Sequence, residues 1–302
     1  MACLCLLSLL CLGATPLSSD GNRSMMSVPQ AMVLGLVEGL TEYLPVSSTG
    51  HLILAQRAMG IGGDHGDKEA ADAYAVCIQL GAILAVLGLY AGDIRRIGLG
   101  LIGRDPGGLH LGRNLLIAFL PAAIVGLSFV DKIKEHLFGL WPVVVAWFMG
   151  GLAILIVDRW KIRRHRTGSS DIYELSAWAA FIIGAFQCIA VWPGVSRSLV
   201  TIVGALVVGM RLDMAVVFSF LLGAITLGAS TAYDGLLHGN VLLEAYGLPS
   251  IFSGFAVAFV SALLAVRWMV AYLRKHGLAL FGYYRVGLAI ITGTLLATNL
   301  LH

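Results

Sequence analysis

Apolar runs approaching twenty residues recur along this chain, at about 28–45, 72–91, 114–130, 137–157, 175–192, 214–232, 248–266 and 282–301. A helix rises about 1.5 Å per residue, so roughly 20 such residues cross a hydrocarbon core about 30 Å thick. Transmembrane strands would instead be segments of about 10 residues alternating in polarity. The runs therefore specify an all-α polytopic membrane protein. Composition agrees, since 58% of the 302 residues are hydrophobic and 12% charged, against roughly 25% charged in soluble domains. A soluble enzyme, a disordered chain and a disulfide scaffold are excluded. The net charge of +3 is too mild to bring in nucleic acid as a partner. Cys3, Cys5, Cys11, Cys77 and Cys188 lie in apolar runs without metal-ligand spacing and read as packing residues.

Residues 2–17 form an apolar run followed by the polar stretch Ser18–Ser24. The run is like a signal-peptide core but lacks a basic flank. It reads equally as a cleaved leader, an extra spanning helix, or sequence ahead of a start at Met25 or Met26. Residues 1–25 are therefore set apart from a single membrane domain at 26–302.

Two runs differ from the other six. Those at 28–45 and 175–192 end at Pro45 and Pro193, and small polar clusters follow at once, Ser47-Ser48-Thr49 and Ser196-Arg197-Ser198. Short apolar segments, 52–59 and 199–209, come next. The residue before proline disfavours helix, so each unit reads as helix, break, helix. Polar backbone at membrane depth is tolerated only where it lines a cavity or is buried in protein. The expectation is two re-entrant helical hairpins, with Ser47, Ser48 and Thr49 capping a helix that starts near Gly50.

The two units share spacing. Gly35, Glu38 and Ser47 recur as Gly184, Gln187 and Ser196; Gly81-Ala82-Ile83 recurs as Gly223-Ala224-Ile225, and Gly151-Leu152-Ala153-Ile154 as Gly287-Leu288-Ala289-Ile290. This predicts an internal repeat with halves of about 28–160 and 174–302. Each half holds one hairpin and three transmembrane helices, and an odd number of crossings inverts the second half. Arg95, Arg96, Arg104 and Arg113, and then Arg159, Lys161, Arg163, Arg164 and Arg166, mark two inside loops, whereas 233–247 has Asp234 and Glu244 but no Lys or Arg. On this topology the first hairpin enters from outside and the second from inside, and their tips can meet.

The tips carry the chemistry. Glu38 and Glu42 are four residues apart, share a helical face, and are costly inside an apolar run unless they have work to do. Together they suit a divalent cation, or a division between base and ligand. The helix N-terminus at Ser47, Ser48 and Thr49 is also an anion site if it points into a cavity, and His51, three residues after Ser48, is within contact across the first helical turn. Arg197 needs a partner at this depth, and its planar fork suits phosphate as well as carboxylate. A salt bridge from Arg197 to Glu38 or Glu42 is the structural alternative.

The stretch Glu38-Gly-Leu-Thr-Glu42-Tyr-Leu-Pro-Val-Ser-Ser-Thr-Gly-His51 resembles the first signature of the undecaprenyl-diphosphatase (bacitracin-resistance) family. Pro193-Gly-Val-Ser-Arg197-Ser-Leu-Val-Thr201 resembles its second. Ile78–Val86 and Tyr284-Arg285 are also similar to that family, and the resemblance spans about 26–300. It implies a multi-pass enzyme of the bacterial inner membrane. Such an enzyme hydrolyses undecaprenyl diphosphate to the monophosphate and phosphate, recycling the lipid carrier for peptidoglycan, with a site facing outward. It further implies magnesium or calcium as cofactor, held by Glu38 and Glu42, and Glu38, Glu42, Ser48, His51 and Arg197 as catalytic. Ser47, Thr49, Ser196, Ser198 and Thr201 would contact the substrate. The partners are then the polyprenyl diphosphate and the bilayer; a homodimer is left open. Either Ser48 attacks phosphorus, with His51 or Glu42 taking its proton, or metal-bound water attacks. The rival class is a secondary transporter or lipid flippase for a phosphorylated solute, since inverted repeats with broken helices also build transporters.

Overall fold

The computed structural model of the protein describes residues 26–62, 65–137, 139–162 and 171–300. The expectations for residues 1–25 and for Arg163, Arg164 and Arg166 lie outside these. The elements are helical: α1 (Val28–Thr41), α2 (Ser48–Ala58), α3 (His65–Leu89), α4 (Ala91–Leu101), α5 (Pro106–Leu137), α6 (Leu140–Ile162), α7 (Ala177–Gln187), α8 (Arg197–Val207), α9 (Leu212–Ala245), α10 (Leu248–His276) and α11 (Ala279–Ala297). Short 3₁₀ turns precede α7 and follow it.

Six of these helices are long and apolar enough to cross a membrane: stretches of α3, α5, α6, α9, α10 and α11. They coincide with the six runs expected as full spans, and the chain is a multi-pass membrane protein. Two expectations for the connections change. Residues 92–113 are not open loop, because α4 and the start of α5 occupy them, clamped by Arg96 Nε donating to Asp105 at 2.8 Å. The stretch 233–247 is helical through Ala245, so α9 carries on where a connection was expected.

The four short helices beside the two breaks, α1, α2, α7 and α8, answer to local sequence. Ser27 caps α1 in a capping box with Gln30, and α1 stops at Thr41, short of Pro45. Ser176 and Ser196 cap α7 and α8, their hydroxyls accepting from Ala179 N and Leu199 N at 3.2 Å each. The start of α2 departs from the expectation. The helix begins at Ser48 rather than near Gly50, and Ser47 makes no side-chain capping bond. Its backbone lies at φ 73° and ψ 102°, outside the usual capping geometry, and the Ser48 hydroxyl is engaged elsewhere.

At 14 and 11 residues, α1 and α7 fall short of the roughly 20 needed to cross alone. Each lies instead against a long helix, α1 against α10 and α7 against α5. Small residues permit this: a side chain at Gly35 would run into the Gly254 backbone, and one at Gly184 into Ala118. In lipid such close approach drives association. Polar ties reinforce it: Tyr74 Oη, from α3, bridges Ala31 O of α1 at 2.9 Å and Ser250 O of α10 at 3.3 Å, and Asn114 Nδ2 of α5 donates to Leu175 O, just ahead of α7, at 2.5 Å.

Candidate active site

The end of α1 and the start of α8 carry charges that their own helices disfavour. Glu38 sits in the last turn of α1 and Glu42 at its C-cap, where the helix dipole is negative and no basic residue is present. Arg197 opens α8, where the dipole is positive. Each resolves the other. Arg197 Nη2 donates to Glu42 Oε1 at 3.0 Å, and Nη1 to Ser219 O at 3.3 Å. The second Glu42 oxygen accepts a short hydrogen bond from Ser48 Oγ. One carboxylate, 7% exposed, thus joins a hydroxyl that follows the first break to a guanidinium that follows the second. Gly223 makes room for the arginine: a Cβ there would collide with the guanidinium.

The breaks also meet through main chain. Ser198 Oγ donates to Leu44 O at 2.9 Å and Ser196 Oγ to the same carbonyl at 3.4 Å, while the two hydroxyls lie 2.8 Å apart. Thr201 Oγ1 donates to Arg197 O at 2.8 Å and pairs with Ser219 Oγ at 2.6 Å. Ser198 and Thr201 are fully buried; they hold the Arg197 segment rather than line the open space.

That space consists of two adjoining cavities. One, of about 210 Å³, is lined by Glu42, Ser47, Ser48, Ser196, Arg197 and Gln187, among others. The other, of about 280 Å³, brings in Glu38, Gln56 and Asp72. Ser48, the exposed Thr49, and Gln79 border both. Leu52, Ile53 and Val76, with Val191 and Leu227, supply apolar walls, so a polar head with an apolar tail fits the lining.

His51 is placed differently from the expectation. It makes no hydrogen bond to Ser48. Its Nδ1 lies 2.6 Å from Ser47 O and its Nε2 2.8 Å from Tyr284 Oη. Reading motifs also passed over three groups. Gln187 lines the smaller cavity, and its place opposite Glu38 in the repeat was the signal for it. Gln79 borders both cavities and lies in Ile78–Val86, a stretch marked only by resemblance and given no role. Arg285, flagged only by resemblance, is fully buried and donates to four main-chain carbonyls.

One acceptor in the site is left over. Glu38 is 1% exposed, its carboxyl lies against that of Glu42, and its Oε2 has no hydrogen-bond partner. Among the described residues no group of three or more His, Cys, Asp or Glu side chains forms a closed metal cage. An open oxygen site suits magnesium, which commonly relies on one or two carboxylates and substrate phosphates. The donor set therefore fits a hard divalent cation. Chemically, the arrangement sets a hydroxyl that donates to a carboxylate beside a guanidinium held by that same carboxylate, at the wall of a cavity.

Comparison with known proteins agrees with the geometry. The profile of the family described as bacitracin resistance protein BacA matches residues 31–291. Relatives include an undecaprenyl-diphosphatase of Sorangium cellulosum (strain So ce56), 44% identical over 262 residues, which is 86% of this chain and 84% of the relative. Undecaprenyl-diphosphatase 2 of Rhodospirillum rubrum is 43% identical over 264 residues, 87% of this chain and 92% of the relative. An undecaprenyl-diphosphatase of Azotobacter vinelandii is 41% identical over 262 residues, 87% of this chain and 91% of the relative. The match takes in both broken segments and five of the six long apolar helices, and runs well into the sixth, α11; the chain belongs to the BacA family of bacitracin-resistance proteins.

Proposed function

We propose that this protein hydrolyses undecaprenyl diphosphate to undecaprenyl phosphate and inorganic phosphate, in a site built where two re-entrant hairpins meet. The observation that carries the reaction is the Ser48–Glu42–Arg197 chain, in which one carboxylate oxygen receives the Ser48 proton and the other is held by Arg197. The terminal phosphoryl group enters the cavity between Ser48 and Arg197. Ser48 Oγ forms a bond to the terminal phosphorus as its proton passes to Glu42. The bond to the bridging oxygen breaks, and the lipid monophosphate leaves. Water then hydrolyses the phosphoserine, releasing inorganic phosphate, with Glu42 returning the proton. Arg197, Ser47, Ser196 and Thr49 surround the phosphate oxygens; Ser198 and Thr201 fix Arg197 from behind. Glu38, with Glu42 beside it, would hold a magnesium or calcium ion, which when bound offsets phosphate charge.

The finer architecture follows. An inverted repeat pairs α1 with α7, α2 with α8, α3 with α9, α5 with α10 and α6 with α11. Under this pairing the packing of α1 on α10 and of α7 on α5 is the same contact made from opposite halves, which supports the two-fold relation. The protein resides in the inner membrane, and the cavities open outward. Asp72, Ala75, Val76 and Gln79 lie toward the start of α3, and its other end leads into the arginine-bearing α4. The preference of arginine for the inner side supports a cavity mouth on the outer side.

The test is phosphate release by the purified protein from undecaprenyl diphosphate. Wild type is expected to turn over, Ser48→Ala to lose turnover, and labelled substrate to leave phosphate on Ser48 after rapid acid quenching. Turnover without a phosphorylated enzyme, persisting in Ser48→Ala at a few per cent or more, would assign the attack to water.

A further inference from the structure

The first break contains a backbone conformation that serine does not adopt cheaply. Ser47, at φ 73° and ψ 102°, sits where non-glycine residues cost about 1–3 kcal/mol and persist only when the surroundings over-determine them. Its neighbour Ser48 is the proposed nucleophile, so whatever fixes Ser47 also fixes the attacking oxygen. The last helix supplies the hold. Arg285 Nη1 donates to Pro45 O at 3.3 Å, on one side of the turn. His51 Nδ1 lies 2.6 Å from Ser47 O, at the turn itself, and Tyr284 Oη lies 2.8 Å from the other imidazole nitrogen.

We infer that Tyr284 and Arg285 form a positioning clamp for the Ser47 turn, and that His51 is the clamp's contact with the turn rather than the acid–base group of the reaction. The inference rests on the phosphatase reading above. Four observations support it. A carbonyl only accepts, so the His51–Ser47 bond places a proton on Nδ1. A neutral ring then accepts at Nε2 from the Tyr284 hydroxyl. Both nitrogens are occupied, and neither faces Ser48. Second, the walls of both cavities include Ser48 and Thr49 but not His51. Third, the imidazole is packed as a structural ring, stacked on Tyr284 at 5.7 Å with planes 6° apart and tilted against Trp147 at 5.2 Å. Fourth, Arg285 reaches beyond the first turn. It also donates to Gly194 O at 3.0 Å in the second break, and to Ala146 O at 2.8 Å and Trp147 O at 3.3 Å on α6. One side chain therefore ties both breaks to one helix and sets the separation of Ser48 from Arg197. Gly150 leaves the space for it, since a Cβ there would meet the guanidinium.

The test separates positioning from proton transfer. His51→Asn keeps an N–H donor near the Nδ1 position and removes titration; His51→Ala removes both. Asparagine is expected to restore kcat to within about tenfold of wild type, with the wild-type pH profile, and alanine to lose substantially more. Removing a true general acid or base would cost about 10²–10⁴-fold in either variant. Asparagine that is as inactive as alanine, or that loses one limb of the pH profile, overturns the assignment. Tyr284→Phe is read by amide hydrogen exchange, which does not depend on activity. Exchange over residues 44–51 is expected to accelerate at least several-fold while the long helices stay unchanged. No local acceleration rejects the clamp, even if Arg285→Lys fails to fold. Wild type that releases no phosphate, yet shows the local acceleration in Tyr284→Phe, would refute the phosphatase reading and leave the clamp standing.

Discussion

Glu42→Gln changes one heavy atom and tests two bonds. In the native site the two Glu42 oxygens serve Arg197 Nη2, at 3.0 Å, and Ser48 Oγ. The amide can keep its oxygen toward the arginine, but its NH₂ then faces Ser48, and a donor meets the hydroxyl that must give up a proton. Loss of the proton acceptor is expected to lower kcat by about 10²–10⁴-fold, or roughly 2.7–5.4 kcal/mol of barrier. A second effect falls on stability. The paired side chains are only 10% and 6% exposed, and removing one charge of a buried pair costs about 3–5 kcal/mol. Turnover should therefore be normalised to folded protein, measured well below the melting temperature. The decisive comparison adds Ser48→Ala and the double variant in the same phosphate-release assay. Groups that act as one unit are far from additive, so the double is expected within about threefold of the weaker single. Glu42→Gln within threefold of wild type, or a double variant whose loss equals the product of the two singles, would refute the pairing of Ser48 with Glu42 as nucleophile and base.

Other expectations follow from the same geometry. Arg197→Lys keeps the charge opposite Glu42 but gives up the second arm to Ser219 O and the phosphate-matching fork. A folded, inserted variant with turnover lowered 10- to 10⁴-fold is expected from one or two lost charge-assisted bonds at about 1.5–3 kcal/mol each, and full activity would return Arg197 to a structural role. Gly223→Ala puts a methyl into the Arg197 guanidinium, so its kinetics should resemble those of Arg197 variants; wild-type kcat would mean the arginine is free to shift. Chelation should abolish phosphate release, and magnesium or calcium should restore it. Glu38→Gln should raise the metal concentration for half-activity, and an unchanged metal requirement would remove Glu38 from the cation site.

Motifs and periodicity reached the parts of the molecule whose function depends on residue type. The six long helices are visible because lipid demands long apolar runs, and Pro45 and Pro193 announce the breaks because proline removes helix. Glu42, Ser48 and Arg197 stand out as polar groups where polarity is expensive. His51 stood out for the same reason but could not be assigned an orientation, since spacing along one helical turn does not say which way a ring points. The Ser47 backbone was invisible because nothing in a serine forecasts a positive φ. The helicity of 92–101 was hidden because a short helix carrying Asp93, Arg95 and Arg96 has the composition of a loop. Arg285 escaped role assignment because its four partners are main-chain carbonyls, which every residue carries.

Those four partners have an electrical consequence. Carbonyl dipoles solvate a guanidinium but do not neutralise it, and arginine keeps its proton in proteins. Arg285 is fully buried, and its hydrogen-bond partners are all neutral main-chain oxygens. A whole positive charge thus stands directly behind the two breaks, in surroundings where Coulomb forces are weakly screened. Arg197 spends part of its charge on Glu42 in the resting site, whereas Arg285 adds a standing positive potential that favours a multiply charged anion over a neutral lipid head. Its distance from solvent shields that bias from salt. Selection of diphosphate over uncharged lipids should therefore persist at ionic strengths that silence attraction by the surface arginines.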